Sequence, residues 1–330
     1  MPCSEQSASH ASRLRILVTG AAGFIASHVA EAYQQAGHEV LGVDNLSSRR
    51  RQNLCPRVAF EKVELTDESA LERVFRQFQP EVVSHHAAQA DVRLSRERPL
   101  DDARANVLGS LALLHQARRC KTRRIIYSSS VGVYGEPRSR PVTEDHPIRP
   151  LSNYTVSKYA TELYLHSFQV NFGIPYLIFR YPNVYGPRQN PQGEAGVVAI
   201  FTGQLLQGVR PRIFGNGAKT RDYVYVDDIV DANLRALRYS PCGVFHLGWG
   251  KEITDLEVFE AVRAAAGVPL EPLFVENRPG EIQRISLDAA RARRRLGWKP
   301  RVEFPEGVRR VVAYWRERLR APRPTLGTPA

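Results

Sequence analysis

The chain has 330 residues, 43% hydrophobic and 24% charged, with a formal net charge of +12. That usage is ordinary for a globular protein and excludes a disordered, collagenous or disulfide-stapled chain, and every apolar run is shorter than the roughly 18 residues a membrane span needs. Much of the charge is local, because residues 291–324 hold twelve Arg or Lys against three Glu. A basic end can bind phosphate polyanions. Only six of the 46 basic residues are Lys, however, and an arginine bias of this kind follows from codon composition without a nucleic-acid partner.

Residues 1–12 lack an apolar signal-peptide core and are expected to form a polar tail, with the cytoplasm as the compartment. Cys3, Cys55, Cys120 and Cys242 form no C-x-x-C pair, so neither a zinc site nor a disulfide framework is expected. The first strand is predicted at Leu14–Thr19. A helix follows from about Gly23 to Gln35, with Gly37 placed to cap it. Further strands are predicted at His38–Val43, Val58–Lys62, Val82–His85, Arg124–Ser128 and Pro175–Arg180, separated by helices near 68–78, 100–119 and 153–172. Short β-branched runs alternating with amphipathic stretches predict βαβ units, hence an α/β protein with a Rossmann-type doubly wound parallel sheet.

After Arg180 the prolines at 182, 187, 191 and 211 break the chain into short elements, and a smaller C-terminal α/β substrate domain is expected to begin. Val224–Leu237 reads as turn and helix, Val244–Leu247 as a strand and Val302–Leu319 as an amphipathic helix. The expected division is 13–182 plus about 225–247 for the first domain and 183–224 plus 248–320 for the second. Residues 1–12 and 321–330 are expected to be disordered.

Two constellations carry chemistry. The first strand runs into Gly20-Ala-Ala-Gly23-Phe24-Ile25-Ala26, the arrangement that brings a pyrophosphate close to backbone N–H groups at a helix N-terminus. Asp44 lies 24 residues beyond Gly20, where its carboxylate can accept both ribose hydroxyls of an adenosine and repel a 2′-phosphate. That favours NAD over NADP, with Arg49, Arg50 and Arg51 as the opposing influence. The second is Tyr154-Thr-Val-Ser-Lys158. Four-residue spacing places phenol and ammonium on one helix face; a free tyrosine has a pKa of about 10, so a base working near neutrality needs the cation, helped by the positive charge of an oxidised nicotinamide. Upstream, Ser128, Ser129 and Ser130 end a presumed central strand, where open α/β sheets bind ligands. A hydroxyl there can relay a proton from substrate to Tyr154. His85 and His86 are adjacent on a strand and point to opposite faces, which suits a packed strand end and not a metal site.

These segments, together with Asp44-Asn45-Leu46-Ser47-Ser48, His86-Ala87-Ala88 and Ser128-Ser-Ser-Val-Gly-Val-Tyr-Gly135, resemble the extended short-chain dehydrogenase/reductase family. Arg180-Tyr-Pro-Asn-Val-Tyr-Gly-Pro-Arg188, Gly193-Glu-Ala-Gly-Val-Val198 and Thr220-Arg-Asp-Tyr-Val-Tyr-Val-Asp-Asp228 are similar to its nucleotide-sugar branch, UDP-glucose 4-epimerases especially. The resemblance spans about residues 13–319. It implies Ser130, Tyr154 and Lys158 as the catalytic set and NAD as cofactor. Cofactor contacts are implied for Gly20, Gly23, Phe24, Ile25, Asp44, Asn45, Glu64, Leu65, Ala87, Ala88, Asn106 and Tyr181, as well as for Tyr154 and Lys158.

For the substrate, the resemblance implies Ser130, Asn183, Val198, Arg221 and Arg278, with Ile285 as a wall of the sugar pocket that favours non-acetylated sugars. It further implies a homodimer paired through the helices near 100–119 and 153–172. This sequence departs from the pattern at Ala26 for a third glycine, Glu64 for an Asp and Pro182 for a small residue. Val131 and Gly132 stand where 4,6-dehydratases carry an Asp-Glu pair, which argues against dehydration. The expected activity is NAD-dependent 4-epimerisation of UDP-glucose and UDP-galactose; UDP-glucuronate 4-epimerisation or decarboxylation and UDP-N-acetylhexosamine 4-epimerisation are the alternatives. An NAD sensor gripping nucleic acid is a rival of another class, opposed by the complete Ser130, Tyr154 and Lys158 set.

Overall fold

A computed structural model describes residues 13–48, 51–191, 196–239, 242–277 and 281–320. The expected disordered tails, Arg49, Arg50 and Arg278 therefore lie outside the described residues. The chain begins with β1 (Arg15–Thr19), α1 (Phe24–Gln35), β2 (Glu39–Asp44), β3 (Ala59–Lys62), α2 (Glu68–Phe78) and β4 (Val82–His85). Two short helices follow, α3 (Val92–Glu97) and α4 (Pro99–Ala103), then a π-turn at Arg104–Leu108 that leads into α5 (Gly109–Arg119). The expected single helix over 100–119 is thus interrupted. The wider turn carries the Asn106 side chain inward, and its backbone carbonyl is satisfied by the Ser110 and Thr161 hydroxyls at 2.5 and 3.2 Å.

The sheet continues with β5 (Arg124–Ser130), α6 (Asn153–Phe172) and β6 (Tyr176–Tyr181). Ser152 caps α6 reciprocally with Thr155, and Gly173 closes it in the left-handed conformation, which gives the helix expected near 153–172 its two ends. The C-terminal half contains β7 (Asn183–Tyr185), α7 (Val197–Leu206), β8 (Arg212–Phe214), β9 (Thr220–Arg221), β10 (Tyr223–Tyr225), α8 (Val226–Ala236), β11 (Gly243–His246), β12 (Ile253–Thr254), α9 (Asp255–Ala266), β13 (Leu273–Val275), α10 (Ala290–Leu296) and α11 (Phe304–Arg320).

Seven parallel strands form the main sheet in the order β11-β6-β5-β4-β1-β2-β3. Strand order reverses between β1 and β4, so the crossovers on either side leave to opposite faces and open a crevice at the strand C-termini. Alternation along β1 serves both faces: Ile16 and Val18 pack with α1 and α8, Leu17 with α2, α5 and α6. Burying each such side chain contributes about 1.5–3 kcal/mol. The smaller lobe is built from three two-stranded pairs and the mutually packed helices α7, α9 and α11.

Under the crevice lies a buried ion pair. Arg180 of β6 and Glu162 of α6 are 5% and 4% exposed, joined from Nε to Oε1 at 3.0 Å and from Nη2 to Oε2 at 2.5 Å. The Ser129 hydroxyl donates to the same carboxylate, and Arg180 Nη1 donates to the Tyr134 oxygen. Tyr134 then donates to His246 Nε2 at 2.6 Å. Both partners of His246 Nδ1 are carbonyls, of Val142 and Asp288, so the single proton sits on Nδ1. Burial pushes this imidazole down to about 3, which keeps it neutral.

Asp222, 1% exposed, anchors the smaller lobe by accepting from the amides of Trp249, Gly250 and Leu287 at 3.0, 2.9 and 3.1 Å. Burial lifts its carboxyl to about 6 against the pull of those amides. Because that exceeds the unfolded value of 3.8, its contribution is greatest below the unfolded value and is lost as pH rises through about 6. Orphaned buried donors cost about 1–3 kcal/mol each, so Asp222→Ala is expected to lower stability in urea titrations by about 3 kcal/mol or more. Asp222→Asn is expected to remove this pH dependence.

Candidate functional site

The crevice is a cleft of about 860 Å³. Its floor starts at Gly20, where φ is +69° and an added Cβ would lie 2.8 Å from the Ala87 backbone; no side chain fits there. Gly23 then opens α1 as its N-cap without a side-chain hydrogen bond, leaving helix-terminal amides toward the cleft. At the end of β2, Asp44 accepts from the Ala22 and Leu46 amides at 3.1 and 2.7 Å. Burial pushes its carboxyl up while the two amides oppose the shift. Asn45 donates to Glu64 at 2.8 Å, so two carboxylates flank this end. Phe24, Ile25 and Leu65 supply apolar walls, and Ala87 and Ala88 continue the floor.

At the other end are Ser130, Tyr154, Lys158 and Tyr181. Ser130 ends β5, and its Oγ accepts from the Gly132 amide at 3.1 Å. An added Cβ on Gly132 would lie 2.6 Å from Thr155 Cγ2, so the turn after Ser130 sits directly on the first turn of α6. Tyr154 and Lys158 follow on that helix. Burial and the Asp102 charge push the Tyr154 phenol up to about 12, with the Ser130 hydroxyl opposing. Burial pulls the Lys158 ammonium down to about 7, opposed by Glu162 and Asp102; its Nζ stands 4.5 Å from the centre of the Tyr127 ring. The pair is thus a neutral phenol beside an ammonium that titrates near neutrality. Any positive charge delivered into the cleft favours the phenolate.

Several residues expected at ligands lie elsewhere. Asn106 is buried behind the cleft, its carboxamide engaged by Gln89 and Ser157. Val198 is 1% exposed in the first turn of α7 and packs in the core. Ile285 is also 1% exposed and packs with Val131, Val133, Tyr134, Val142 and Leu287. It therefore backs the turn after Ser130 and does not wall the cleft, because the segment bearing it pairs inward through Val142. Asn183 and Arg221 are half-buried at the lobe side, Arg221 donating to the Thr220 carbonyl at 2.8 Å.

The cleft is also lined by residues to which sequence reasoning assigned no site role, among them Gln89 and Arg188. Arg188 is paired with Glu31 of α1 at 2.5 Å and adopts φ +67°, a strained backbone no sequence motif announces. His85 is fully engaged with Thr19 and Ser110. Thr19 Oγ1 also accepts the amides of His86 and Ala87, locking the floor.

Residues 16–248 match the family model described as NAD dependent epimerase/dehydratase family. A curated UDP-glucose 4-epimerase of Mycolicibacterium smegmatis is 42% identical over 92% of this chain and 99% of its own length. Among solved structures, UDP-glucose 4-epimerase from Thermotoga maritima with UDP-glucose is 43% identical with a TM-score of 0.91, covering 92% of this chain and 99% of that one. The UDP-glucose 4-epimerase of Thermus thermophilus in complex with NAD is 42% identical with a TM-score of 0.88, at the same coverage. A methyl group at Gly20 would collide with the floor on which a dinucleotide must rest. Gly20→Ala is expected to weaken NAD binding at least about 100-fold, or about 2.7 kcal/mol, in calorimetric titration, with the circular dichroism spectrum unchanged.

Proposed function

Because the chain belongs to the NAD-dependent epimerase/dehydratase family, we propose that it interconverts UDP-glucose and UDP-galactose by 4-epimerisation with NAD. The observation that carries this reading is the meeting in one cleft of the Gly20 floor and Asp44 at one end with Ser130, Tyr154 and Lys158 at the other. The cleft fits a dinucleotide on its own chemistry: a backbone cradle with no room for a Cβ at Gly20, a helix N-terminus for the pyrophosphate and a carboxylate for the ribose. NAD, when bound, supplies the hydride acceptor and donor that carries the sugar through a transient 4-keto state.

The protein side of the reaction is proton handling and orientation. Tyr154 removes the proton of the sugar 4-hydroxyl, assisted by Ser130, and returns it to the same oxygen once the keto sugar has turned its other face toward the cofactor. Lys158 stabilises the phenolate. Asn183 and Arg221 are the groups assigned to the substrate diphosphate, Arg221 because a guanidinium donates bidentately to phosphate oxygens. Anchoring at the diphosphate leaves the sugar free to turn. Val131 and Gly132, directly after Ser130, offer no acid or base at C5 and C6, which sets this site apart from a dehydratase.

A second copy of the chain is the expected partner. Val156, Leu163 and Val170 recur every seven residues on α6 with exposures of 50, 54 and 65%, and Leu100 and Leu108 are exposed beside them. An apolar seam of that period is what a facing helix covers. A cytoplasmic setting goes with the free thiols of Cys55, Cys120 and Cys242, and among the described residues no helix is long and apolar enough to cross a membrane.

The purified protein is expected to interconvert UDP-glucose and UDP-galactose without external reductant, and Tyr154→Phe to lower kcat about 10²–10⁴-fold while NAD stays bound. Absence of interconversion, or carbon dioxide release from UDP-glucuronate, overturns the assignment. Sedimentation is expected to show a dimer that Leu163→Glu converts to monomer.

A further inference from the structure

Beside Tyr154 and Lys158 lies a buried carboxylate that the proton chemistry leaves unused. Asp102 of α4 is 1% exposed. Its Oδ1 accepts from Gln89 Nε2 and Asn106 Nδ2, both at 3.1 Å. Ser157, whose hydroxyl reaches the Tyr154 carbonyl at 2.9 Å, also hydrogen-bonds Asp102. Gln89 lines the cleft, and its amide and carbonyl are both tied to the Asn106 carboxamide, at 2.7 and 3.0 Å. One acid therefore joins the cleft loop, the π-turn and the first turns of the helix that bears Tyr154 and Lys158.

The other ionisable groups around the pair come from every neighbouring element. His85 and His86 close β4, and burial holds both neutral, His86 down at about 3. Tyr127 faces Lys158 from β5 as a ring. Glu162 shares α6 with the pair, but its carboxylate is matched by Arg180 of β6. The donors to Asp102 named above are neutral amides and a hydroxyl, so its charge acts on the pair beside it. It opposes ionisation of Tyr154 and favours the ammonium of Lys158.

We propose that Asp102 is a positioning residue that fixes the Gln89 loop against α6 and sets the protonation of Tyr154 and Lys158 together. The proposal rests on Tyr154 acting as base and Lys158 as its cation. Activity then requires ionised Tyr154, which makes the acid limb of the pH profile, and charged Lys158, which makes the alkaline limb. A neutral residue at 102 eases proton loss from both, so the two limbs move in the same direction, toward lower pH. Loss of packing alone would lower the maximum and leave the limbs in place.

The test compares kcat against pH for the NAD-loaded wild type, Asp102→Asn and Asp102→Glu with UDP-galactose. In parallel, Lys158 of the cofactor-free proteins is titrated through the pH dependence of its acetylation by acetic anhydride, read by peptide mass spectrometry. Asp102→Asn is expected to shift both limbs and the Lys158 midpoint down by about one pH unit, while Asp102→Glu, which keeps the charge, leaves them near wild type. Should Asp102→Asn fail to fold, Asp102→Ser supplies a second neutral variant with the same expected shifts. Ser157→Ala breaks one hydrogen bond and keeps the charge, so its limbs stay in place. Unmoved limbs or limbs that move toward each other in the neutral variants, or an unmoved Lys158 midpoint, overturn the proposal. A wild type without turnover overturns the proposed function instead, and the Lys158 titration still decides the role of Asp102.

Discussion

The buried pair of Glu162 and Arg180 is the constraint around which the rest is arranged. Removing two charges from water costs several kcal/mol per ion, and only full hydrogen bonding makes it tolerable. Here Ser129 and Tyr134 take up the remaining sites on the two ions. That requirement propagates: Arg180 has only hydrogens to give, so Tyr134 must donate onward, and His246 must accept with its proton on Nδ1. The result is a directional chain from α6 through β6 to the carbonyls at Val142 and Asp288. The turn after β5, β6, β11 and the segments at Val142 and Asp288 are thereby held together by groups whose donor and acceptor roles cannot be individually reversed.

Burial also shapes the electrostatics of the cleft. Glu162, one turn along the helix, and Asp102 both favour the charged Lys158, but neither outweighs its burial. Burial thus pulls the ammonium toward neutrality, and the phenol beside it resists ionisation. On the roles proposed for the pair, formation of the phenolate therefore depends on positive charge arriving in the cleft. A proposed base of that kind is guarded by default, since it forms only when the partner that makes it useful is in place.

The fold class was legible because β-branched runs and amphipathic stretches alternate with clear punctuation, as at Gly23 and Gly37. What escaped was mostly non-local. The helix α7 is apolar nearly all round, so no periodic face marked it between prolines. The break at 104–108 leaves no compositional trace, since nothing in Arg-Ala-Asn-Val-Leu forbids an ordinary helix; it depends on hydroxyls from Ser110 and Thr161 that meet the Asn106 carbonyl only after folding. In the cleft, motif residues with backbone roles such as Gly20 could be named from spacing. The burial of Ile285 and Val198 depends on which strand pairs with which segment, information that lies in neither their identity nor their neighbours.

The π-turn has a consequence for how this segment can change by insertion or deletion. A π-turn amounts to one extra residue accommodated within a helix, and each helical residue advances the chain by about 100°. Losing a single codon between 104 and 108 would restore an uninterrupted helix through α4 and α5. Because the wide turn already absorbs that residue, the segments on either side would keep nearly their present facing, and what would go is the bulge that carries the Asn106 side chain to Gln89 and its carbonyl to Ser110 and Thr161. The reading frame would survive and the composition would barely change. A one-residue gap here is therefore one the helix can close at the cost of the Asn106 contacts, whereas a gap in the regular turns of α5 has no bulge to take it up and turns one end of the helix against the other.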